Sequence, residues 1–308
     1  ISIFKRHNRG EMNVFMSISP RKKGGGPNTF AGLMGDWLKG NGYRLVTSPE
    51  KADTAILFAN RAKYEEIEKA KKNGVFVLHR LDEHFEENET GFRKEKHEQL
   101  IQLNKLADLT IFQSKFVFEN VYPHIKPKNY SIIHNGGDPE SFFPASSIGK
   151  YIGHVTWSVH EKKRLDLLYK FIKEHPDEHF LLIGNHRDSA FGFDLPNVLL
   201  KGKTSRKKLG RYYRMMKFMY FPSENDPCSN SVVAAILSGV PVCYHPVGGN
   251  VELVRECGEP LSNVETLVKN LEKYRQKCSY RTDLYFDEVA GKYIDLVKKR
   301  DPRFSVEL

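Results

Sequence analysis

The strongest constraint on this chain is an alternation. Short continuous apolar runs are separated by stretches whose apolar residues recur at helical spacing. The first run is 13–18. A glycine loop follows, Gly24-Gly25-Gly26-Pro27-Asn28-Thr29, and then Phe30, Leu33, Met34, Trp37 and Leu38 fall on one helical face before Gly40 and Gly42. Runs at 55–58, 75–78, 109–113 and 131–134 read as further strands, with helical stretches at 64–72 and 95–106 among them. Continuous apolar runs suit strands buried on both faces. Strands that alternate with helices pair in parallel through crossovers. The expected fold class is α/β, with helices on both faces of a parallel sheet.

The rhythm restarts near residue 150. Strands are expected at 151–157, 180–183, 198–200, 218–221 and 240–244, and helices at 165–174, 207–215 and 229–237. A length of 308 residues suits two domains. The small, polar stretch Ala145-Ser146-Ser147-Ile148-Gly149 is the expected boundary, dividing 1–148 from 149–283, with a final helical pattern inside 284–308.

Composition narrows the setting. No apolar run approaches the roughly 20 residues of a membrane span, and no signal-peptide pattern opens the chain. Met12 looks like a natural start, so residues 1–11 are either native or an added extension. Cys228, Cys243, Cys257 and Cys278 lack metal-site spacing and favour a reducing, cytoplasmic compartment. The net charge of +10 suits nucleic acid, an anionic membrane surface or a phosphate-bearing small molecule. Lys69, Lys71, Lys72, Lys207, Lys208, Lys298 and Lys299 read as scattered over solvated helix faces, which disfavours nucleic acid and leaves peripheral membrane contact open.

Several segments carry chemistry. Gly24, Gly25 and Gly26, between a strand and a helix, are either a flexible turn or a place where backbone N–H groups approach an anion. Near the other end, 197–242 contains Asn197-Val198, Gly202, Leu209, Tyr212-Tyr213, Phe221-Pro222-Ser223, Asp226 and Ser238-Gly239-Val240-Pro241-Val242. Elsewhere stand Ala107-Asp108 with Ile111-Phe112-Gln113-Ser114, then Asn135-Gly136 with Asp138, Phe143 and Pro144, and Gly248-Gly249 with Glu252. In this order the segments resemble family 4 glycosyltransferases of the GT-B fold, over nearly the whole chain.

That resemblance implies two Rossmann-like domains facing across a cleft, the first for the acceptor, the second for a nucleotide sugar, with the C-terminal helix crossing back to the first. It implies a retaining hexosyltransferase whose donor is GDP-mannose by weak preference, otherwise a UDP-hexose, and whose acceptor is a glycan or other hydroxyl. Asp226 stands where the family has the first acid of a paired-acid motif, for the donor sugar. The second acid, which holds the ribose, is replaced by Ala234. In the Arg-and-Lys motif for the leaving diphosphate, Ser158 takes the Arg position and Lys163 the Lys position, with Lys162 or Arg164 able to supply the missing charge. These lysines are otherwise a solvated helix start. Pro227, Cys228, Ser229, Asn230 and Ser231 open a helix whose N-terminus suits a diphosphate, although Ser229 and Asn230 are equally plain caps. Gly202 and the glycine loop complete the expected donor contacts. His79, Arg80 and Asp82, at the carboxyl end of a strand, are expected with Asn28 at the acceptor side, Asp82 in a catalytic role; Arg80 and Asp82 read equally as an internal ion pair. His134 is expected to be structural. No Asp-x-Asp occurs, so neither a divalent metal nor another cofactor is expected. A non-catalytic sugar-nucleotide or glycan binder is the alternative that Ala234 and Ser158 raise.

Overall fold

The computed structural model describes residues 12–20, 25–83, 85, 90–301 and 303–304. Gly24 and residues 1–11 lie outside the described residues. The chain divides into two compact units, one running to Ile133 and resuming at Ala290, the other His134–Val289.

The first unit contains β1 (Asn13–Met16), α1 (Gly26–Gly40), β2 (Arg44–Val46), β3 (Thr54–Phe58), α2 (Tyr64–Lys72), β4 (Phe76–Leu81), α3 (Gly91–Asn104), β5 (Leu109–Phe112), α4 (Lys115–Ile125) and β6 (Tyr130–Ile132). Its strands form one parallel sheet in the order β2-β1-β3-β4-β5-β6. Every residue of β3, β4 and β5 is buried, as the apolar runs at 55–58, 75–78 and 109–113 predict, and the burial extends to the polar His79, Arg80 and Thr110. Ala55, Leu57, Val75 and Val77 pack with Ile67 and Ala70 of α2 and Leu103 of α3. Phe112 and Leu81 pack with Leu100, Val117 and Val121.

The second unit repeats the plan with β7 (Tyr151–Thr156), α5 (Leu165–Glu174), β8 (Phe180–Gly184), β9 (Val198–Lys201), α6 (Arg206–Tyr213), β10 (Met216–Phe221), α7 (Asn230–Leu237), β11 (Val242–Tyr244), α8 (Asn250–Val254), β12 (Gly258–Pro260), α9 (Val264–Lys269) and α10 (Leu271–Ser279). Its parallel order is β12-β11-β10-β7-β8-β9. Side chains alternate across this sheet. Phe180, Leu182, Phe218 and Tyr220 face the core that contains Leu165, Leu168 and Phe171 of α5. Leu181, Ile183, Met219 and Phe221 face the core that contains α7. Helices therefore cover both faces.

The boundary departs from the expected 145–149. Residues 134–148 are held by the second unit through specific bonds. Asn135 Nδ2 donates to Cys228 O (2.8 Å), Gly137 N donates to Leu284 O (2.9 Å), and Phe142 stacks edge-on against Tyr213. The polar composition of 145–149 marks a surface loop, but hydrogen bonding decides the division. The last helix, α11 (Phe286–Arg300), starts in the second unit and belongs to the first from Ala290, where Tyr293 packs on Phe30 (5.4 Å between ring centroids).

Buried imidazoles set an acid limit on this fold. His79 in the first unit and His186 in the second are each held at a pKa of about 4 by burial, against 6.5 unperturbed. The folded chain thus refuses protons that the unfolded chain accepts below about pH 6.5, so stability is full above that pH and falls as pH drops towards about 4. Chemical denaturation between pH 7 and 4 should show a loss of roughly 3 kcal/mol from each histidine. His79→Asn should flatten that slope.

Candidate functional site

In a parallel sheet, the crevice outside the carboxyl ends of the strands opens where strand order reverses. In the second unit the reversal lies between β7 and β10. The segments leaving those two strands meet there. Lys163 follows β7, Asp226 follows β10, and Lys163 Nζ donates to Asp226 Oδ2 at 2.9 Å, with both side chains largely covered.

Local backbone chemistry places this pair. After β7, Thr156 Oγ1 donates to Ser158 O (2.8 Å) and Ser158 Oγ accepts from His160 N (3.2 Å), which turns the chain. His160 Nδ1 accepts from Lys162 N (3.3 Å), and one tight turn, Glu161–Lys163, leads to Arg164 in the left-handed region (φ 47°). After β10, Glu224 N donates to Lys162 O (2.8 Å) and Ser223 Oγ donates to the same carbonyl (3.2 Å). Asn225 is also left-handed (φ 50°). From the far side, Gly249 N donates to Asp226 O (2.9 Å) and Asn250 Nδ2 to Ser223 O (3.3 Å). Segment 222–226 is therefore clamped between the β7 turn and the Gly248-Gly249 turn. Among the described residues, five non-glycine residues have positive φ: Ala59, Lys126, Arg164, Asn225 and Arg255. Arg164 and Asn225 lie in this clamp, and strained backbone persists only where surrounding structure enforces it.

Charges around the pair are distributed unevenly. Arg164 bonds Asp166 through Nε (3.0 Å) and pairs with Glu224, and Glu224 also faces His245 Nε2 at 3.5 Å. Beneath lies a buried imidazole pair, with His154 Nδ1 2.7 Å from His186 Nε2. Burial first, then His186 and Lys163, hold His154 well below the ordinary imidazole range. The Lys163 cation therefore sits over neutral rings.

The remaining expected donor residues divide. α7 begins at Asn230 behind the β10 loop, with Asn230 and Ser231 half-buried. Ser229 is its N-cap, its hydroxyl accepting from Val232 N (3.4 Å), so that side chain serves the helix. Cys228 is buried, and its Sγ accepts from Asn135 N (3.2 Å). Ser231 O accepts from the Tyr213 hydroxyl (2.9 Å). Pro227 is half-buried beside Asp226, Ser158 is exposed in the β7 turn, and Gly202 is exposed after β9 with open space at its Cα. Ala234 is buried within the α7 core. His134 Nε2 meets Glu252 Oε2 at 2.9 Å, a structural tie between the start of the unit and α8.

The first unit has its own reversal, between β1 and β3. There a cavity of about 370 Å³ is lined by Ser17, Ile18, Ser19, Asn60, Arg61, Glu83 and Lys96. Of the expected acceptor residues, His79 is a correction. It is fully buried, with Nε2 2.7 Å from Ala59 O and Nδ1 3.0 Å from Asn104 Nδ2, so both ring nitrogens are engaged inside the sheet. Arg80 is likewise internal. Its guanidinium lies 4.0 Å from the Phe30 ring centroid and 3.6 Å from Asp82 Oδ2. Burial, opposed by Arg80, raises the Asp82 carboxyl. Gly25 (φ 76°) and Gly26 open α1, where Thr29 N and Oγ1 both donate to Gly25 O (3.1 Å), and Asn28 is half-buried.

Some functional candidates are invisible to motif reading. Glu224 is one: it meets Arg164, a candidate cation of the sequence, because two left-handed residues turn them together. The cavity residues Ser17, Asn60, Arg61 and Lys96 come from three separate segments; the position of Ser17 after β1 and of Asn60 and Arg61 after β3 is the available signal, and Lys96 reaches the cavity from α3.

Residues 149–278 match the family described as Glycosyl transferases group 1. Among solved structures, sucrose-phosphate synthase from Thermosynechococcus elongatus is similar at a TM-score of 0.76 and 14% identity, over 94% of this chain and 99% of that one. Anabaena HepE in complex with UDP and glucose is similar at 0.69 and 13%, over 93% and 99%. The pneumococcal O-GlcNAc transferase GtfA in complex with UDP and GlcNAc is similar at 0.57 and 17%, over 87% and 60%. At these identities the likeness is one of fold, here GT-B. No curated protein matches the sequence.

Gly248 is the residue on which the clamp tolerates least change. Its φ is 73°, and a Cβ would stand 2.9 Å from both Asn225 Cα and Asp226 N. Gly248→Ala should cost about 1–3 kcal/mol in chemical denaturation. Hydrogen exchange should show faster exchange at the Gly249 amide, which bonds Asp226 O.

Proposed function

We infer, because residues 149–278 match the family described as Glycosyl transferases group 1 and the fold is GT-B, that this chain is a glycosyltransferase that moves a hexose from a nucleotide sugar to a hydroxyl acceptor. The observation that carries the reading is the meeting of Lys163 and Asp226 at the strand-order reversal of the second unit. Transfer separates a sugar with developing positive charge from a departing diphosphate. A fixed cation and helix amides stabilise that diphosphate most in the transition state, where its charge is greatest. Lys163 supplies the cation, and the first turn of α7 the amides. Asp226 orients Lys163 and accepts from sugar hydroxyls. Stabilisation by these groups assigns no role to a divalent metal. Retention of anomeric configuration is part of the proposal through the family resemblance.

HepE and GtfA are each seen in complex with UDP, which supports a UDP-hexose donor over the GDP-mannose preference read from the sequence. Ala234 leaves the ribose without the family's second acid, and a hydrogen bond to a charged group contributes roughly 1.5–3 kcal/mol. Donor affinity is accordingly expected to be weak. On the acceptor side, the first-unit cavity displaces His79 and Arg80 as the reading. Asn60, Ser17 and Ser19 offer neutral hydrogen bonds, and Arg61, Lys96 and Glu83 offer charge. Asp82 stays in the proposal as the carboxyl beside that cavity. Burial of Ala234 and exposure of Ser158 at the Arg position favour one second reading, a sugar-nucleotide binder that does not turn over.

Calorimetric titration of UDP-, GDP- and ADP-hexoses decides the donor; UDP-hexose is expected to bind most tightly, and a clear preference for GDP-mannose would reverse that choice. Lys163→Ala should lower turnover more than tenfold with the fold intact by circular dichroism, although leaving the largely covered Asp226 unpaired should lower the thermal transition. Donor that binds but yields neither transfer nor hydrolysis would establish the binder instead.

A further inference from the structure

The excess positive charge is concentrated in one place. Residues 195–223 contain Lys201, Lys203, Arg206, Lys207, Lys208, Arg211, Arg214 and Lys217 and no acidic residue. These eight cations leave 40 Lys and Arg against 38 Asp and Glu in the rest of the chain, a balance of +2 within a total of +10. The scattered distribution expected from the sequence is thus corrected.

The fold displays this charge. α6 buries Gly210 and Tyr213 and presents Lys207, Lys208 and Arg211 to solvent, with Lys203 exposed just before it. Two of the eight cations are balanced: Arg206 lies 3.7 Å from Asp138, and Lys217 2.6 Å from Glu178. Lys203, Lys207, Lys208 and Arg211 have no carboxylate within ion-pair distance among the described residues. Burial first, then the neighbouring Arg211, hold the Arg214 guanidinium below its usual range. Apolar groups edge the same face. Phe143 is 45% exposed, with Arg214 lying 3.9 Å from its ring centroid. Ile148 is 38% exposed, and the next residue, Gly149, lies against the Met215 backbone at the end of α6.

We propose that this face of the second unit docks the protein on an anionic lipid surface. Clustered cations on one helix face with exposed apolar groups beside them match the field and the interfacial boundary of such a membrane. Nucleic acid fits less well, because single strands need stacking platforms. Tyr213 is buried and bonded to Ser231 and Tyr212 is half-buried near Lys208, so the exposed Phe143, with Arg214 against one side of its ring, does not make a run of stacking platforms. This docking is separate from the donor reading, and either can fail alone.

Vesicle co-sedimentation tests it, using phosphatidylcholine vesicles with and without roughly 30% phosphatidylserine at about 0.1 M NaCl. Wild-type protein is expected to bind only the anionic vesicles and to dissociate as salt rises. Each cation removed should weaken binding about fivefold, so Lys207→Gln, Lys208→Gln and Arg211→Gln together should weaken it about a hundredfold. Phe143→Ser should lower binding severalfold with little change in salt dependence. Lys63→Gln, Lys69→Gln and Lys72→Gln together remove equal charge from α2 and its start and should leave binding near wild type. An equal loss in that control, binding to neutral vesicles as strong as to anionic ones, or tighter binding to a duplex oligonucleotide at the same salt would each overturn the proposal. Circular dichroism confirms that the variants fold, and the salt dependence of the wild type stands as a test without them.

Discussion

The carbonyl of Lys162 is the point on which the second unit's site depends. It accepts from both Glu224 N and Ser223 Oγ, tying the turn after β7 to the loop after β10. With that tie in place, Lys163 has Asp226 within hydrogen-bond reach. Without it, two loops from neighbouring strands would each keep their own conformational freedom, and one ion pair would have to offset the entropy of ordering both. The backbone thus arranges the charges. That order of causes explains why positive φ is enforced at Arg164 and Asn225. Each turns a loop sharply enough for its functional neighbour to face the other strand's segment.

Much of this was legible in the sequence. A central strand such as β3, whose 55–58 is a continuous apolar run because both faces are buried, is found by pattern alone. The three-residue strands β2 and β12 are too short to carry any periodicity, and α4 carries Pro123 within its last turn. Lys163 and Asp226 were found through their motif positions. Arg164 was a candidate cation in the sequence, but Glu224 was obscured because its meeting with Arg164 depends on backbone conformations that no spacing rule encodes. His79 misled for a physical reason. A histidine at the carboxyl end of a strand in an α/β sheet is a fair ligand candidate, but here Ala59 O and Asn104 use both of its nitrogens.

The two sheets place different chemistry at the same topological position. In the second unit the strand-order reversal holds an ion pair over uncharged, buried imidazoles. In the first it holds a cavity with hydroxyl, amide and mixed charged groups. A diphosphate needs concentrated positive potential, whereas a hydroxyl acceptor needs hydrogen bonds of both kinds. The two linings fit the division of labour proposed for the two units, and Glu83 illustrates the fit. Its carboxyl is held down chiefly by the His97 hydrogen bond, so it remains an acceptor for hydroxyl donors at neutral pH.

Charge placement extends the argument beyond the site. Unbalanced cations repel one another and raise the free energy of the compact state. Yet α6 and its flanks concentrate nearly all of the chain's excess charge where acids could have been interspersed at little structural expense, as on α2, where Glu66 and Glu68 answer Lys63 and Lys72. The contrast between two surface helices of one chain argues that the α6 face is arranged for an anion outside the protein. Arg214 stacked on Phe143 gives that face an apolar rim, and a rim of this kind distinguishes a surface that enters a lipid boundary from one that only attracts counterions.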